Sequence, residues 1–253
     1  LTNSGQSDTV GHAGGSNGNA IAMDADEGAS VLTQHGWLSR MPGDFQRTML
    51  SHSSWRHVER RSSIILAGDD IGGMFGIARG TVELTTAFSP PDAPIGILVH
   101  QGFWLGEGSI LSGQPRRISA VARSAVMLAY IPHASLAAML SKRPEWWRHL
   151  GVLAFENGNI AATAAADLRI RDSKRRCIAA LLRVCGCRFS DRVGEAPVEV
   201  MLTQEELAGI ANMSRNNTGE ILRKLAKRRL ITVGYRIIIV HAPSALRAIV
   251  EST

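Results

Sequence analysis

Residues 202–225, LTQEELAGIANMSRNNTGEILRKL, carry the residue types of this sequence best suited to a definable chemistry. Arg215 can bridge O6 and N7 of guanine, Asn216 can bridge N6 and N7 of adenine, and Glu220 can accept from cytosine N4. Arg223, Lys224, Lys227, Arg228 and Arg229 follow. Such a run suits phosphate contacts, which add affinity without sequence information.

These side chains need a rigid carrier, and the same segment encodes one. Thr203 with Glu206 three residues on is a capping box that starts a first helix. Leu207, Ala208 and Ala211 give it an apolar inner face of small residues. Asn212 tolerates the left-handed conformation a sharp turn requires, and Ser214 can cap a second helix. Met213, Thr218, Ile221, Leu222 and Leu225 supply the face that packs on the first. This is the spacing of a helix-turn-helix, with Arg215, Asn216, Gly219 and Glu220 expected on the outer face of the second helix. A hairpin follows as a wing: residues 231–233, a turn at Gly234-Tyr235, then 236–240. The competing readings are an ordinary helical hairpin with a solvated basic face and a winged helix used for protein contact.

Other chemistries find no support in the sequence. No Ser/His/Asp set, paired carboxylates at readable spacing, phosphate-binding Gly-rich loop or zinc spacing is present, and no enzyme is expected. Cys177, Cys185 and Cys187 are too few for a disulfide framework and suit a reducing cytoplasm. Cys185 and Cys187 read as a buried pair of small thiols. His100, His133 and His149 stand isolated.

The chain has 253 residues, 45% of them hydrophobic and 20% charged, enough to bury a sizeable core in one large or two small domains. The mean hydropathy is +0.01, yet the longest apolar run, 125–131, is far short of the ~20 residues a membrane-spanning helix needs. The net charge is +6 and the isoelectric point about 9.8. Because residues 1–30 contain acids but no Lys or Arg, the basic charge is concentrated in the rest, which favours an anionic partner. No secretory leader is expected at the N-terminus.

Residues 1–30, rich in Gly, Ser, Asn and Ala, read as a disordered tail. From 31 to 143 short apolar segments (63–67, 74–78, 81–88, 96–99, 119–131) alternate with turn residues such as Gly68-Asp69-Asp70 and Ser89-Pro90-Pro91, which predicts an antiparallel roll preceded by a helix over 37–52. After Pro144, Trp147, Leu150, Ala154, Asn157, Ala161, Ala164 and Leu168 form a heptad seam. Gly151 and Gly158 beside it would each cost about 1 kcal/mol unless close packing repays it. Residues 144–169 are therefore expected to pair with a second copy, the alternative being a helix packed against its own domain. Residues 170–253 make the basic unit with the helix-turn-helix.

With these motifs in place, the chain resembles the Crp/Fnr family of bacterial transcription regulators. MSRNNTGEILRKL is similar to the family's recognition helix. Residues 68–82 resemble the hairpin of its sensor roll, and LGEGSILSGQPRRISA (105–120) resembles the phosphate-binding cassette of cyclic-nucleotide domains. The resemblance implies an α+β protein: an N-terminal antiparallel β-roll, a long dimerisation helix and a C-terminal winged helix-turn-helix. It implies a homodimer on a near-palindromic double-stranded DNA site, contacted through Thr203, Ser214, Arg215, Asn216, Asn217, Glu220, Arg223 and Lys224. For an activator it also implies RNA polymerase as partner. In the cassette it gives Glu107 the ribose hydroxyl and Arg116 the cyclic phosphate, with Gly106, Arg117, Ser119 and, from the long helix, Thr163 around a cyclic nucleotide such as cAMP. Two residues depart from the family pattern: Gly108 stands where Leu or Ile is usual, and Ile118 where a small residue is. Closure of the loop by a Glu107–Arg116 pair is the alternative to ligand binding. A non-nucleotide effector, an empty sensor and an enzymatic site in the roll also stay open. The family's four-cysteine iron–sulfur sensor is excluded, since the sensor half has no cysteine.

Overall fold

The computed structural model describes residues 24–86, 96–188 and 197–252. The chain enters through α1 (Ala25–Gln34), a 3-10 turn (Leu38–Arg40) and α2 (Gly43–Ser51). Eight strands and one short helix follow: β1 (Ser54–Val58), β2 (Ser63–Ile65), β3 (Met74–Arg79), β4 (Val82–Thr86), β5 (Ile97–Val99), β6 (Trp104–Leu105), α3 (Glu107–Ser112), β7 (Ile118–Ala122) and β8 (Val126–Ile131). They make two antiparallel sheets, ordered β1-β8-β3-β6 and β2-β7-β4-β5. Ile65, Phe75, Ile77, Val82, Val99, Leu105, Ala120 and Leu128, drawn from both sheets, form one buried cluster, so the core of the roll lies between them. A second cluster joins α1, α2, α4 (His133–Lys142) and the start of α5 (Trp147–Leu168) to the outer side of β3 and β8.

Several sequence expectations change here. The helix predicted over 37–52 is two pieces, because Pro42 cannot donate and its neighbour Met41 is extended, with φ −87° and ψ 159°. The single run 119–131 is two strands, turned at 123–125. Of the expected tail, residues 25–30 are helical. Asp24 and Glu27 close a reciprocal capping box, and Leu32 is fully buried. Gly28 lets this helix lie on Trp55, whose ring would stand 2.6 Å from an added Cβ. Residues 1–23 and the Ser89-Pro90-Pro91 turn lie outside the described residues.

The long helix α5 has 22 residues, and its faces differ from the predicted seam. Leu150 and Leu153 are buried in the protein's own core, and Asn157 donates to Glu107. The side left open carries Trp147, Gly151, Phe155, Gly158, Ala162 and Ala165. Trp147 is 41% and Phe155 70% exposed. A Cβ at Gly151 or Gly158 would meet nothing within 4 Å, so the fold of the single chain does not require glycine there. Of the predicted seam, Trp147, Ala161 and Leu168 are exposed, whereas Leu150 is buried and Ala154, Asn157 and Ala164 are half-buried.

The basic end is built from α6 (Ser173–Val184), β9 (Val198–Val200), α7 (Gln204–Ile210), α8 (Arg215–Lys227), β10 (Ile231–Gly234), β11 (Ile237–Val240) and α9 (Pro243–Glu251) around its own core. The wing is a three-stranded sheet, β10-β11-β9. Gly234 belongs to its first strand, and the turn falls at Tyr235-Arg236, with Arg236 at φ +58°. Leu98 of β5 packs in the core of this end, and polar contacts also join it to the roll. His100 Nε2 lies 2.6 Å from the Val184 carbonyl, and since a carbonyl only accepts, that nitrogen carries the proton. Arg123 bridges Glu83, at 3.2 Å, and Glu206.

Candidate nucleic-acid interface and sensor cassette

The reading head forms as its spacing requires. Thr203 Oγ1 accepts from the Glu206 amide at 3.1 Å, and Glu206 Oε2 accepts from the Thr203 amide at 2.8 Å. Asn212 sits at φ +49°, the turn conformation anticipated for it. Ser214 Oγ accepts from the Asn217 amide at 3.3 Å and caps α8. Leu207, Ala208, Ile210 and Ala211 meet Ile221, Leu222 and Leu225 in the buried seam between the two helices.

Arg215, Asn216, Asn217, Glu220, Arg223 and Lys224 are exposed on α8, as are Lys227, Arg228 and Arg229 beyond. Thr203 and Ser214 act in the structure as helix caps. Gly219, expected outward, is buried instead: an added Cβ would stand 3.0 Å from Gln204 Oε1, so its lack of a side chain lets α7 approach. The other oxygen of Glu206, Oε1, receives Arg123 from the roll, so a member of the α7 capping box also contacts the roll.

In the cassette, β6 ends at Gly106, whose φ of +106° turns the chain into α3 with Glu107 in its first turn. Glu107 is buried, and Oε1 accepts from Asn157 Nδ2 at 2.9 Å; the same amide reaches the Trp104 carbonyl at 3.1 Å. Arg116 is buried too. Its Nη1 donates to the Gly106 carbonyl at 2.9 Å and its Nη2 to the Gly73 carbonyl at 2.5 Å. The guanidinium fits because Gly72 and Gly106 lack side chains: a Cβ at either would come within 2.8 or 2.9 Å of its nitrogens.

Glu107 and Arg116 thus form no ion pair with each other. Each is held by other partners, and the loop closure by their pairing is not what the structure contains. Of the five N–H donors of a guanidinium, Arg116 commits two to these carbonyls. Ser119 Oγ accepts from the Ala67 amide at 3.0 Å, Arg117 is exposed, and Thr163 lines a cavity beyond the cassette. The α5 residue that reaches the cassette is Asn157, which the sequence pattern assigned to the dimer seam. Its polarity at a heptad position was the available signal.

Burial pushes the Glu107 carboxyl above the ordinary carboxylate range, opposed by the Asn157 hydrogen bond and the charge of Arg116. The folded chain therefore binds this proton more readily than the unfolded chain, and stability falls as pH rises from the unfolded pKa through the folded one. Glu107→Gln should raise the urea midpoint at pH 7 relative to wild type and leave it nearly unchanged at pH 4. Equal midpoints at both pH values would show that the hydrogen bond offsets the burial.

Among the described residues no group of three His, Cys, Asp or Glu gathers that could hold a metal, and no helix is long and apolar enough to cross a membrane. The three cysteines are free and buried, and burial pushes Cys177 up to about 12.

Residues 55–143 match the model of the cyclic nucleotide-binding domain, and residues 175–249 that of the Crp-like helix-turn-helix domain. The cAMP-activated global transcriptional regulator CRP of Escherichia coli O6:H1 is 22% identical over 194 residues, which cover 76% of this chain and 91% of that protein. Among solved structures, a Crp/Fnr-family transcriptional regulator from Thermus thermophilus superposes with a TM-score of 0.58 at 22% identity, over 79% of this chain and 99% of its own. The c-di-GMP-responsive global regulator CLP of Xanthomonas campestris gives 0.59 at 18% identity, again over 79% and 99%. Sensor roll, long helix and capped helix-turn-helix follow one another here in that order, and with both domain models matched the chain belongs to the Crp/Fnr family of transcription regulators.

Proposed function

We propose that this protein is a dimeric, sequence-specific DNA-binding regulator that reads a near-palindromic site with two copies of α8 and answers to a small effector in the β-roll. The observation that carries this reading is α8 itself. It is fixed at its start by Ser214 and along its inner face by Ile221, Leu222 and Leu225, and it presents Arg215, Asn216, Asn217 and Glu220 outward ahead of a basic stripe. A fixed helix with polar base readers at its N-terminal end is the geometry that enters a major groove, and two-fold pairing sets the half-sites about one helical turn apart. The open stripe of α5 supports that pairing, with Gly151 between Trp147 and Phe155, and Gly158 beyond them, leaving room for a close partner. In this reading residues 31–143 sense, 144–169 dimerise and 170–253 bind DNA. The protein works in the cytoplasm, with RNA polymerase as further partner where it activates.

Selection from a randomised duplex library, followed by titration of the selected duplex, tests the reading head. Arg215→Ala should cost about 1–3 kcal/mol of binding and relax one base position per half-site. Lys224→Ala should weaken all duplexes alike and lower the salt dependence. Failure to enrich any sequence, or an Arg215→Ala variant of unchanged affinity and preference, overturns the assignment.

For the effector, Arg116 and Glu107 fit a cyclic nucleotide: a guanidinium for the phosphate and a buried carboxylate that can accept from a ribose hydroxyl. Calorimetric titration of cyclic AMP, cyclic GMP and cyclic di-GMP into the full chain tests this. Saturable binding supports it. No heat from any of the three assigns Arg116 to the fold alone, in keeping with its two carbonyl partners.

A further inference from the structure

We propose that the hinge between α5 and α6 is a second DNA contact, in which Arg171 and Lys174 hold the sugar–phosphate backbone beside the groove that α8 enters. The proposal rests on the dimeric DNA-binding reading and adds to it a surface outside the helix-turn-helix. Residues 169–176, RIRDSKRR, hold five cations and one acid.

The partners of these charges divide them. Arg175 turns inward and donates through Nε and Nη2 to the Val250 carbonyl, at 2.9 and 2.7 Å. Arg176 also turns inward, with Nε on the Ala211 carbonyl at 2.9 Å and Nη1 on the Ile170 carbonyl at 2.6 Å. The acid, Asp172, caps α6 by accepting from the Arg175 amide at 2.7 Å. Arg171 and Lys174 are exposed, and neither side chain makes a hydrogen bond or ion pair among the described residues.

A solvated surface cation needs no partner; the position of these two gives them one. The Arg176 guanidinium spans Ile170 in the hinge and Ala211 in the turn of the helix-turn-helix, so the hinge lies against that turn, just ahead of the start of α8 at Arg215. Ile170 and Met213, from the two segments, pack on the same core. Arg171 and Lys174 therefore stand beside the end of α8 that carries the base readers. Lys224 and Lys227 lie at its other end. A helix in a major groove has a phosphate strand on either side. The basic stripe of α8 suits one strand, and the hinge pair suits the other. An acidic protein surface offers the same charge, but duplex DNA on α8 already brings its phosphates to this edge, and each one met by a cation releases counterions.

Titration of the selected duplex into the full chain, followed by fluorescence anisotropy at a series of salt concentrations, tests the hinge. Arg171→Gln combined with Lys174→Gln removes two phosphate contacts per protomer. The slope of log affinity against log salt should become shallower by about 3–4 units, with the selected sequence unchanged. Arg171→Lys combined with Lys174→Arg should keep the wild-type slope. Arg47→Gln combined with Lys142→Gln, which takes two exposed cations from α2 and α4 of the sensor half, should keep it as well. Ethylation of phosphates flanking the bases read by α8 should block wild-type binding and have no such effect on the Arg171→Gln, Lys174→Gln protein. A slope unchanged in that protein overturns the proposal and assigns the hinge cations to solvent or to another partner. An equal fall in the Arg47→Gln, Lys142→Gln protein also overturns it, because net charge alone then accounts for the loss. Phosphate contacts carry no sequence information, so the same salt series on an unselected duplex tests the hinge even where selection enriches nothing. Failure of the regulator reading and failure of this one are therefore distinguishable.

Discussion

Asp167→Ala should destabilise the protein by about 3–5 kcal/mol, the cost of breaking a buried charge cluster by removing one partner. Asp167 lies in the last turn of α5, with its side chain 4% exposed, and it receives Arg183 from α6 and Arg188 just beyond. Its removal leaves Arg183 without a carboxylate in a site from which water is largely excluded, and the uncompensated charge dominates the loss. The pair also ties the long helix to the first helix of the DNA-binding end, so the loss should reach the coupling between them. Urea unfolding at pH 7 measures the first effect. Asp167→Asn, which keeps the shape and an acceptor, should fall between wild type and Ala. A loss below about 1 kcal/mol would mean that Arg183 and Arg188 find other acceptors at little cost.

Arg116→Ala should cost on the order of 2–4 kcal/mol even with no effector present. The side chain satisfies the carbonyls of Gly73 and Gly106, and each buried acceptor left unpaired costs about 1–3 kcal/mol. Those carbonyls flank the entry to β3 and the turn into α3, so the sensor roll should lose stability before the helix-turn-helix does. Hydrogen exchange of the two halves checks this: faster exchange confined to residues 54–131 is expected, and uniform change across both halves argues against it. The result bears on effector studies, because loss of nucleotide binding in Arg116→Ala has to be separated from loss of the cassette's shape. Arg116→Lys cannot serve as a gentle control, since one ammonium does not span two carbonyls as a planar fork does.

The helix-turn-helix was almost wholly legible in the sequence because its signals are local. Thr203 with Glu206, Asn212 and Ser214 act within four residues of themselves, and backbone geometry fixes their partners. Its one error, Gly219, had a signal: glycine on an exposed helical face carries a propensity cost, and close approach of α7 is what offsets it. The roll was legible as alternating strands and turns. Its pairing order was not, since β1 joins β8 and β2 joins β7 across more than 50 residues. Short elements such as β6, α3 and β9 hold too few residues for a period to show.

Residue types and short-range spacing thus determined the reading head, its caps and basic stripe and the presence of a long helix with a heptad, while the cassette was marked by the family resemblance alone. Tertiary structure decided which side of α5 stays open, because a period gives a stripe but not the neighbour that covers it. The roll takes Leu150, Leu153 and Asn157, and leaves Trp147, Gly151, Phe155 and Gly158. It decided the partners of Glu107 and Arg116 as well. A buried charge must be met, and the groups that meet it, Asn157 at 50 residues' distance and Gly73 at 43, are brought there only by the packing of the roll on the long helix.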